Sequence, residues 1–241
     1  MSMSLTMPSQ YVTYPGKLEP IRAGVLEALG RDSQEGRKIQ SCRYKSRCHS
    51  TLCPLCLRQR GYEMKDRIMQ AASQVAGARL RFGTFVARDV SLDSLRETGR
   101  ELMQAVGRVF KTLKVDGYAG RLEASFEEWR DEYHVHVHAL IDSPSGGRGF
   151  IPRDAWRDEW LGSLPAHLHP VEGGAQVTPV RDLEATCNYL TKSPFSEHVR
   201  DHEKRVVEAL LACKGMQRTI IRGSMAERGG VTHSVQSGKA A

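Results

Sequence analysis

Hydrophobic residues recur along this 241-residue chain at two different spacings, and the change from one to the other lays out its elements. From Pro20 to Leu29 the spacing is helical, and Gly30 ends the helix before a polar loop. A second helix is expected to run from the cysteines at 42–56 to about Val75. Leu80 to Val90 is partly β-branched or aromatic and reads as a strand. Ser91 is a candidate N-cap, and behind it Leu95, Leu102, Val106, Val109, Phe110 and Leu113 share one helical face. Two strands follow, about Ala119 to Glu127 and Tyr133 to Ile141, joined by a polar turn at 129–131 as in a hairpin. The Gly/Pro-rich loop Ser143 to Gly149 leads to a helix starting near Pro152. Gln176 to Val180 reads as a strand, and Asp182 to Lys192 as a helix with acidic residues in its first turn. A last amphipathic helix is expected near Glu197 to Ala212. From Leu80 onward the order is β-α-β-β-α-β-α. It predicts an α+β fold of the ferredoxin- or RRM-like kind, an antiparallel sheet with helices on one face, preceded by a small cysteine-rich element.

The resulting division is an N-terminal arm (1–36), partly disordered, a cysteine-rich basic element with its helix (37–78), the α+β core (79–213) and a flexible basic tail (214–241). The Gly/Ser-rich stretch after about Gly223 is expected to be disordered. No segment approaches the ~20 apolar residues that span a bilayer, and Met1 to Gln10 has neither the basic nor the apolar part of a secretory signal. A reducing, cytoplasmic setting is therefore expected, in which the six cysteines are thiols or metal ligands rather than disulfides.

The formal net charge of +7 favours an anionic partner. Its distribution sharpens the point, because nine Lys/Arg lie between Arg37 and Arg67 against only Glu63 and Asp66. A basic module around the cysteines is what a nucleic-acid-facing surface requires.

Candidate chemistry sits on the predicted hairpin. In Tyr133-His134-Val135-His136-Val137-His138-Ala139 the strand alternation puts three imidazoles on one face and the apolar side chains on the other. On the partner strand Leu122, Ala124 and Phe126 form the apolar face, which leaves Glu123 on the histidine side. His136 and His138, joined by Glu123 or His134, thus form a nitrogen and oxygen donor set suited to Mg²⁺, Mn²⁺ or Zn²⁺. His167 and His169 lie between Pro165 and Pro170 and read as surface residues. Further on, Tyr189 and Lys192 are three apart on a predicted helix and share a face. A phenol, with a pKa of ~10, becomes a nucleophile when a metal polarises the electrophile and a cation stabilises the developing charge.

His-Val-His-Val-His-Ala-Leu, followed about fifty residues later by Tyr189-Leu-Thr-Lys192, resembles the HUH endonucleases. It is most similar to the single-tyrosine rolling-circle replication initiators of small bacterial plasmids. The resemblance covers Arg81 to Lys192 and the upstream cysteines. It implies that His136 and His138 bind a catalytic Mg²⁺ or Mn²⁺, that Tyr189 is the nucleophile and that Lys192 assists it. It also implies site-specific nicking and joining through a 5′-phosphotyrosine, with a free 3′-OH that primes synthesis by host replication proteins. Related initiators carry a glutamate four residues before the tyrosine for the terminating cleavage; here that position is Ala185. Glu184 is the neighbouring carboxylate, rotated about 100° from that position on the helix.

Cys42, Cys48, Cys53 and Cys56 place four thiols within fifteen residues, and the Cys53-Pro-Leu-Cys56 pair has zinc-knuckle spacing. His49 is an alternative ligand to Cys42 or Cys48. Similar Cys-Pro-x-Cys elements precede the core in the resembling initiators. A structural zinc there would stiffen a loop presenting Arg43, Lys45, Arg47, Arg58 and Arg60 to an origin hairpin or single strand of DNA. Cys187 and Cys213 read as small core residues. Two other functions share these features. A transposase or relaxase would use the same core, and a non-catalytic zinc-ribbon regulator would bind DNA with its histidines holding structural zinc.

Overall fold

Five strands pair into one antiparallel sheet in the order β4-β1-β3-β2-β5, in a computed structural model that describes residues 18–43, 45–145, 150–192 and 202–228. The strands are β1 (Leu80–Val86), β2 (Gly117–Glu127), β3 (Glu132–Asp142), β4 (Ala175–Pro179) and β5 (Thr219–Gly223). Helix α4 (Leu92–Thr112) carries the chain from β1 to β2, which lies on the far side of β3, and α5 (Arg153–Ser163) links β3 to β4. This is the split β-α-β plan expected from the element order, extended by one edge strand.

Alternation along the hairpin builds the core. Leu122, Tyr133, Val135, Val137 and Ala139 are buried under α4, whose Leu95, Leu102, Val106, Val109 and Phe110 are the apolar stripe read from the sequence. Phe85 from β1 sits at the centre with Phe110, Trp156 and Trp160 around it, at centroid distances of 5.4, 6.3 and 5.3 Å. The Trp160 indole N–H donates to the Val86 carbonyl at 2.8 Å, so the ring brings no unpaired donor into the core. Helices α1 (Glu19–Leu29) and α7 (Glu203–Ala212) pack against each other and extend the same cluster.

The opposite face is covered too, which corrects the expectation of helices on one face only. Helices α3 (Pro54–Ala72), α6 (Leu183–Thr191) and α8 (Ser224–Arg228) bury Ile68, Ala71, Ala72, Cys187, Leu190 and Met225 against Leu80, Ala119 and Leu140 of the sheet. The reason lies in β3, whose histidine face turns apolar at Leu140 and needs cover there. Beyond that cover, His138, His136 and His134 emerge in succession.

Other local expectations shift. The loop after Gly30 is short, and the polar stretch behind it forms α2 (Gln34–Ser41), with the Ser33 hydroxyl accepting from the Gly36 amide at 3.0 Å. Its polarity hid the helix, because Ile39 is its sole large apolar anchor. β1 ends at Val86, and Val90 makes only an isolated bridge to Tyr133. Ser91 occupies the N-cap position of α4, but its hydroxyl reaches the Ser94 hydroxyl rather than a backbone amide. Residues 1–17, 146–149, 193–201 and 229–241, which include the arm's start, part of the Gly/Pro-rich loop, the expected start of the last helix and the end of the tail, lie outside the described residues.

The expected flexible tail from 214 is corrected as far as residue 228. β5 pairs with β2 from Gly117↔Gly223 to Arg121↔Thr219, and α8 follows at once. Gly223 is the turn between them rather than the start of disorder. Its φ is 56°, and a Cβ there would lie 2.1 Å from the Asp116 carbonyl oxygen. Arg79 ion-pairs with Asp116 and the fully buried Asp142, whose other oxygen accepts from the Ser224 hydroxyl at 2.7 Å. Gly223→Ala should therefore cost ~2 kcal/mol or more, lowering the melting temperature by roughly 4–8 °C. An unchanged thermal melt would show that this segment does not dock.

Candidate active site

Ladder register brings the predicted hairpin residues together. Glu123 stands directly across from His136, Arg121 from His138 and Ser125 from His134. A Glu123 carboxylate oxygen lies 3.5 Å from His136 Nε2 and 3.3 Å from His138 Nε2. One ligand atom from each of Glu123, His136 and His138 falls within 4.8 Å of the others. Bonds of ~2.1 Å to one ion put neighbouring donors ~3.0–3.4 Å apart, so the three fit a single divalent cation with little movement. His138 Nδ1 is 3.1 Å from the Thr84 hydroxyl on β1, the outer contact that holds a ligating imidazole with Nε2 forward. The buried His136 Nδ1 has no partner among the described residues, so that ring's polar commitment is to the carboxylate.

Electrostatics keep the donors ready. Burial acts to raise the Glu123 carboxyl, but His136, His138 and the Lys192 ammonium outweigh it and hold the group well below the usual carboxylate range. For His138, burial dominates over the pull of Glu123 and favours the neutral ring, the form that binds metal.

The tyrosine helix docks onto this cluster. Asp182 caps α6 by accepting from the Ala185 amide at 2.9 Å, and Lys192 is its C-cap residue. The Tyr189 hydroxyl lies 3.2 Å from His138 Nε2, and its ring meets His138 and Phe82 edge-on at 4.9 and 5.8 Å. Lys192, whose side chain is only 6% exposed, places Nζ 4.0 Å from the Tyr189 ring centroid and 3.5 Å from the second Glu123 oxygen. Arg121 donates to the Leu190 carbonyl at 3.4 Å, and α3 presses on the same turn through Gly61. A Cβ on Gly61 would come within 2.6 Å of the Thr191 carbonyl oxygen, so this helix contact requires glycine.

Two candidates are not brought in. His134 shares the face, but its Nδ1 bonds to Asp89 at 2.8 Å, and Asp89 also pairs with Arg130 at 3.0 Å. It lies one pleat beyond His136, outside the converging donor set, and Glu123 takes the place it was offered. Glu184 is 69% exposed and pairs with Lys65 of α3 at 3.3 Å. Its rotation on α6 points it away from the tyrosine. Thr84, Phe82, Asp89 and Gly61 escaped the sequence reading. Only Thr84, a polar residue between Phe82 and Phe85 on a core strand, left a visible trace.

The four cysteines converge as expected. Cys56 Sγ lies 3.6 Å from both Cys42 Sγ and Cys48 Sγ, and all four sulfurs fall within 4.8 Å of one another. Tetrahedral zinc with ~2.3 Å bonds needs ~3.8 Å between sulfurs, so the set fits zinc and leaves His49 outside. Burial pushes the Cys48 thiol up to about 11 and Cys53 further still, so a cation is what would ionise them. Of the basic residues nearby, Lys45 is exposed, and Arg43 is exposed but also donates to the Gln40 and Cys42 carbonyls. Arg60 is committed to the carbonyls of His49 and Ser50, so it holds the cysteine loop as well as adding charge. Arg47 and Arg58 line a groove with Tyr62, whose hydroxyl accepts from Arg58 at 3.1 Å.

Comparison with known proteins covers both clusters. A family profile described as a replication protein matches residues 39–226. A curated relative named Protein rep, from Streptococcus pneumoniae serotype 2, is 25% identical over 66% of this chain and 54% of its own length. Protein rep of Bacillus amyloliquefaciens is 25% identical over 58% of this chain and 44% of its own. Protein rep of Lentilactobacillus hilgardii is 26% identical over 68% and 59%. The chain spans about half the length of the curated relatives it matches. No solved structure matches it. Among the described residues no helix is long and apolar enough to cross a membrane.

Elemental analysis tests whether the cysteine cluster holds zinc. Cys56→Ser should remove about one zinc per chain by elemental analysis. It should also lower stability by more than ~4 kcal/mol, a fall in melting temperature of roughly 8–16 °C. Unchanged zinc content would refute the four-thiol site.

Proposed function

Because the chain belongs to the replication-protein family, we propose that it is a plasmid rolling-circle replication initiator that nicks and rejoins one DNA strand with Tyr189 as nucleophile. One observation carries this reading. The Tyr189 hydroxyl lies 3.2 Å from a nitrogen of the Glu123–His136–His138 donor set, with Lys192 beside both.

Each residue then has a role. Mg²⁺ or Mn²⁺ bound by Glu123, His136 and His138 would supply Lewis-acid polarisation of the scissile phosphate. Tyr189 Oη attacks phosphorus as the P–O3′ bond breaks, leaving a 5′-phosphotyrosine and a 3′-OH. The proton lost by the phenol balances the one gained by the 3′ oxygen. Lys192 favours the phenolate over the phenol and offsets the charge on phosphorus. Rejoining is the reverse attack by a 3′-OH, and it needs no nucleotide cofactor because the ester energy stays in the phosphotyrosine. Between the two steps the 3′-OH is available to host replication proteins as a primer. Arg43, Lys45, Arg47, Arg58 and Arg60 of the cysteine element bind phosphates of the origin strand or hairpin. The position of Glu184, exposed and paired with Lys65, favours a different group for the terminating cleavage.

Incubation of the protein with labelled single-stranded origin DNA and Mn²⁺, followed by denaturing electrophoresis, should give a covalent protein–DNA band. Chelation should abolish it. Tyr189→Phe should reduce the band to background while the strand is still bound, and a variant that nicks normally would end the assignment. Strand binding with no band from the wild-type protein would instead support a non-catalytic regulator.

Thr84 is tested separately. Thr84→Val removes the hydroxyl that orients His138 and should raise the Mn²⁺ concentration for half-maximal nicking by ~10–100-fold. An unchanged metal requirement would show that the ring is positioned instead by its stacking on Phe82, at 5.4 Å between centroids.

A further inference from the structure

Of the three tryptophans in the chain, Trp156 and Trp160 are buried, whereas Trp129 is 73% exposed in the turn between β2 and β3. Its indole is nevertheless held. The Arg130 guanidinium lies 4.0 Å from the ring centroid and donates to one Asp89 oxygen at 3.0 Å. The other Asp89 oxygen is 2.8 Å from His134 Nδ1. From His134 the rings of His136 and His138 follow at centroid steps of 5.1 and 4.5 Å. Within the turn Asp131 takes a left-handed conformation, φ 54°, and pairs with Arg205 of α7. The tip is thus a braced extension of the face that carries the donor cluster. An open cavity of about 610 Å³, lined in part by Asp89, Arg130, Glu132 and His134, lies between the two.

An indole this exposed, with a guanidinium over one face, has its other face open to water. The chemistry around it decides what that face suits. A stable protein interface buries ~800 Å² per partner around an apolar centre. Glu128, Arg130 and Asp131, the neighbours of Trp129, are instead exposed and charged. One flat ring without an apolar surround suits one flat partner. A phosphate would meet Glu127, Glu128, Asp131 and Glu132, with Arg130 already paired to Asp89. A nucleobase carries no charge, and every base presents a π face to an aromatic ring. The tip also lies on the course of a strand bound at the donor cluster. Glu127, the last residue of β2, is ~14 Å beyond Glu123 along the strand, a few nucleotides of a single-stranded backbone.

We propose that Trp129 is a stacking platform for one nucleobase of the bound single strand, a few nucleotides from the phosphodiester that Tyr189 attacks. The identity of the ligand rests on the strand-transfer reading above. Arg130 has a positioning role, because it backs the indole and ties it through Asp89 to His134. A base held at the tip limits how far the strand can slide along the hairpin, and so fixes which phosphorus reaches the phenol.

The test is fluorescence anisotropy with two labelled 12-mers, a mixed-sequence DNA strand and a strand of abasic deoxyribose phosphates that has the same charge and no bases. Trp129→Ala should weaken binding of the base-bearing strand roughly fivefold or more, and Trp129→Phe should keep most of it. Wild type and W129A should bind the abasic strand equally. The slope of log affinity against log salt should be the same for both proteins, since no phosphate contact is lost. Equal affinity of wild type and W129A for the base-bearing strand overturns the proposal. So does an equal loss on both strands, or a loss that appears as a changed salt slope. A second readout needs no substitution. The unlabelled base-bearing strand should quench the tryptophan emission of the wild-type protein and the abasic strand should not, because Trp156 and Trp160 lie in the core. Equal quenching by both strands, or by neither, also overturns the platform. Failure here is distinct from failure of the nicking reading. A covalent band with unchanged W129A binding removes only the platform, whereas strand binding without a band removes the tyrosine chemistry and leaves these titrations to decide Trp129.

Discussion

Glu123 lies across from His136 in the β2–β3 ladder, and this register turns a patterned hairpin into a site. The same register pairs Leu122 with Val137, Ala124 with Val135 and Phe126 with Tyr133 on the reverse face, where they are packed into or against the core. A slip of one residue would send three imidazoles into the core and the valines into water. The energy of burying the apolar face therefore orders the polar one. A donor set assembled this way needs no flexible loop to close it, and its geometry is as rigid as the sheet.

Charge compensation brings the rest of the site to that hairpin. Lys192 is almost wholly buried at the C-terminal end of α6, where the helix dipole favours a cation, and Glu123 is its carboxylate partner. That ion pair ties the docking of α6 to the donor cluster on the hairpin. Tyr189 sits between them, its ring under the ammonium and its hydroxyl toward His138. The phenol is thus held by interactions that also serve the chemistry proposed for it.

Helix α3 joins the two cysteine- and histidine-based clusters into one body. Cys56 near its start faces the other thiols, and Gly61, barely more than one turn later, touches the Thr191 carbonyl of the tyrosine helix. A zinc ion that stiffens the start of α3 would therefore also steady the turn carrying Lys192. The basic cysteine element is not a tethered accessory. It packs into the same hydrophobic cluster as α4, and its Arg60 reaches the cavity formed by β2 and the segment before β5.

Much of this was legible in residue order alone. Alternation in 133–139 set the two faces of β3, helical spacing set the stripe of α4, and four cysteines in fifteen residues announced a thiol cluster. These signals are local, because side-chain direction in a strand or helix follows from backbone geometry within a few residues. What stayed hidden depends on partners distant in the chain. By pattern His134 equals His136 and His138, and only Asp89, from the segment after β1, draws it aside. Glu184 looked available beside the tyrosine until α3 supplied Lys65. α2 and β5 lack an internal hydrophobic period long enough to be read, and they form because Ser33 caps one and the open edge of β2 pairs the other. Sequence by itself determined which side chains could do chemistry and which way each faced on its own element. Tertiary structure decided which of them meet, since contacts such as Tyr189 with His138 and Gly61 with Thr191 depend on how whole helices settle against the sheet.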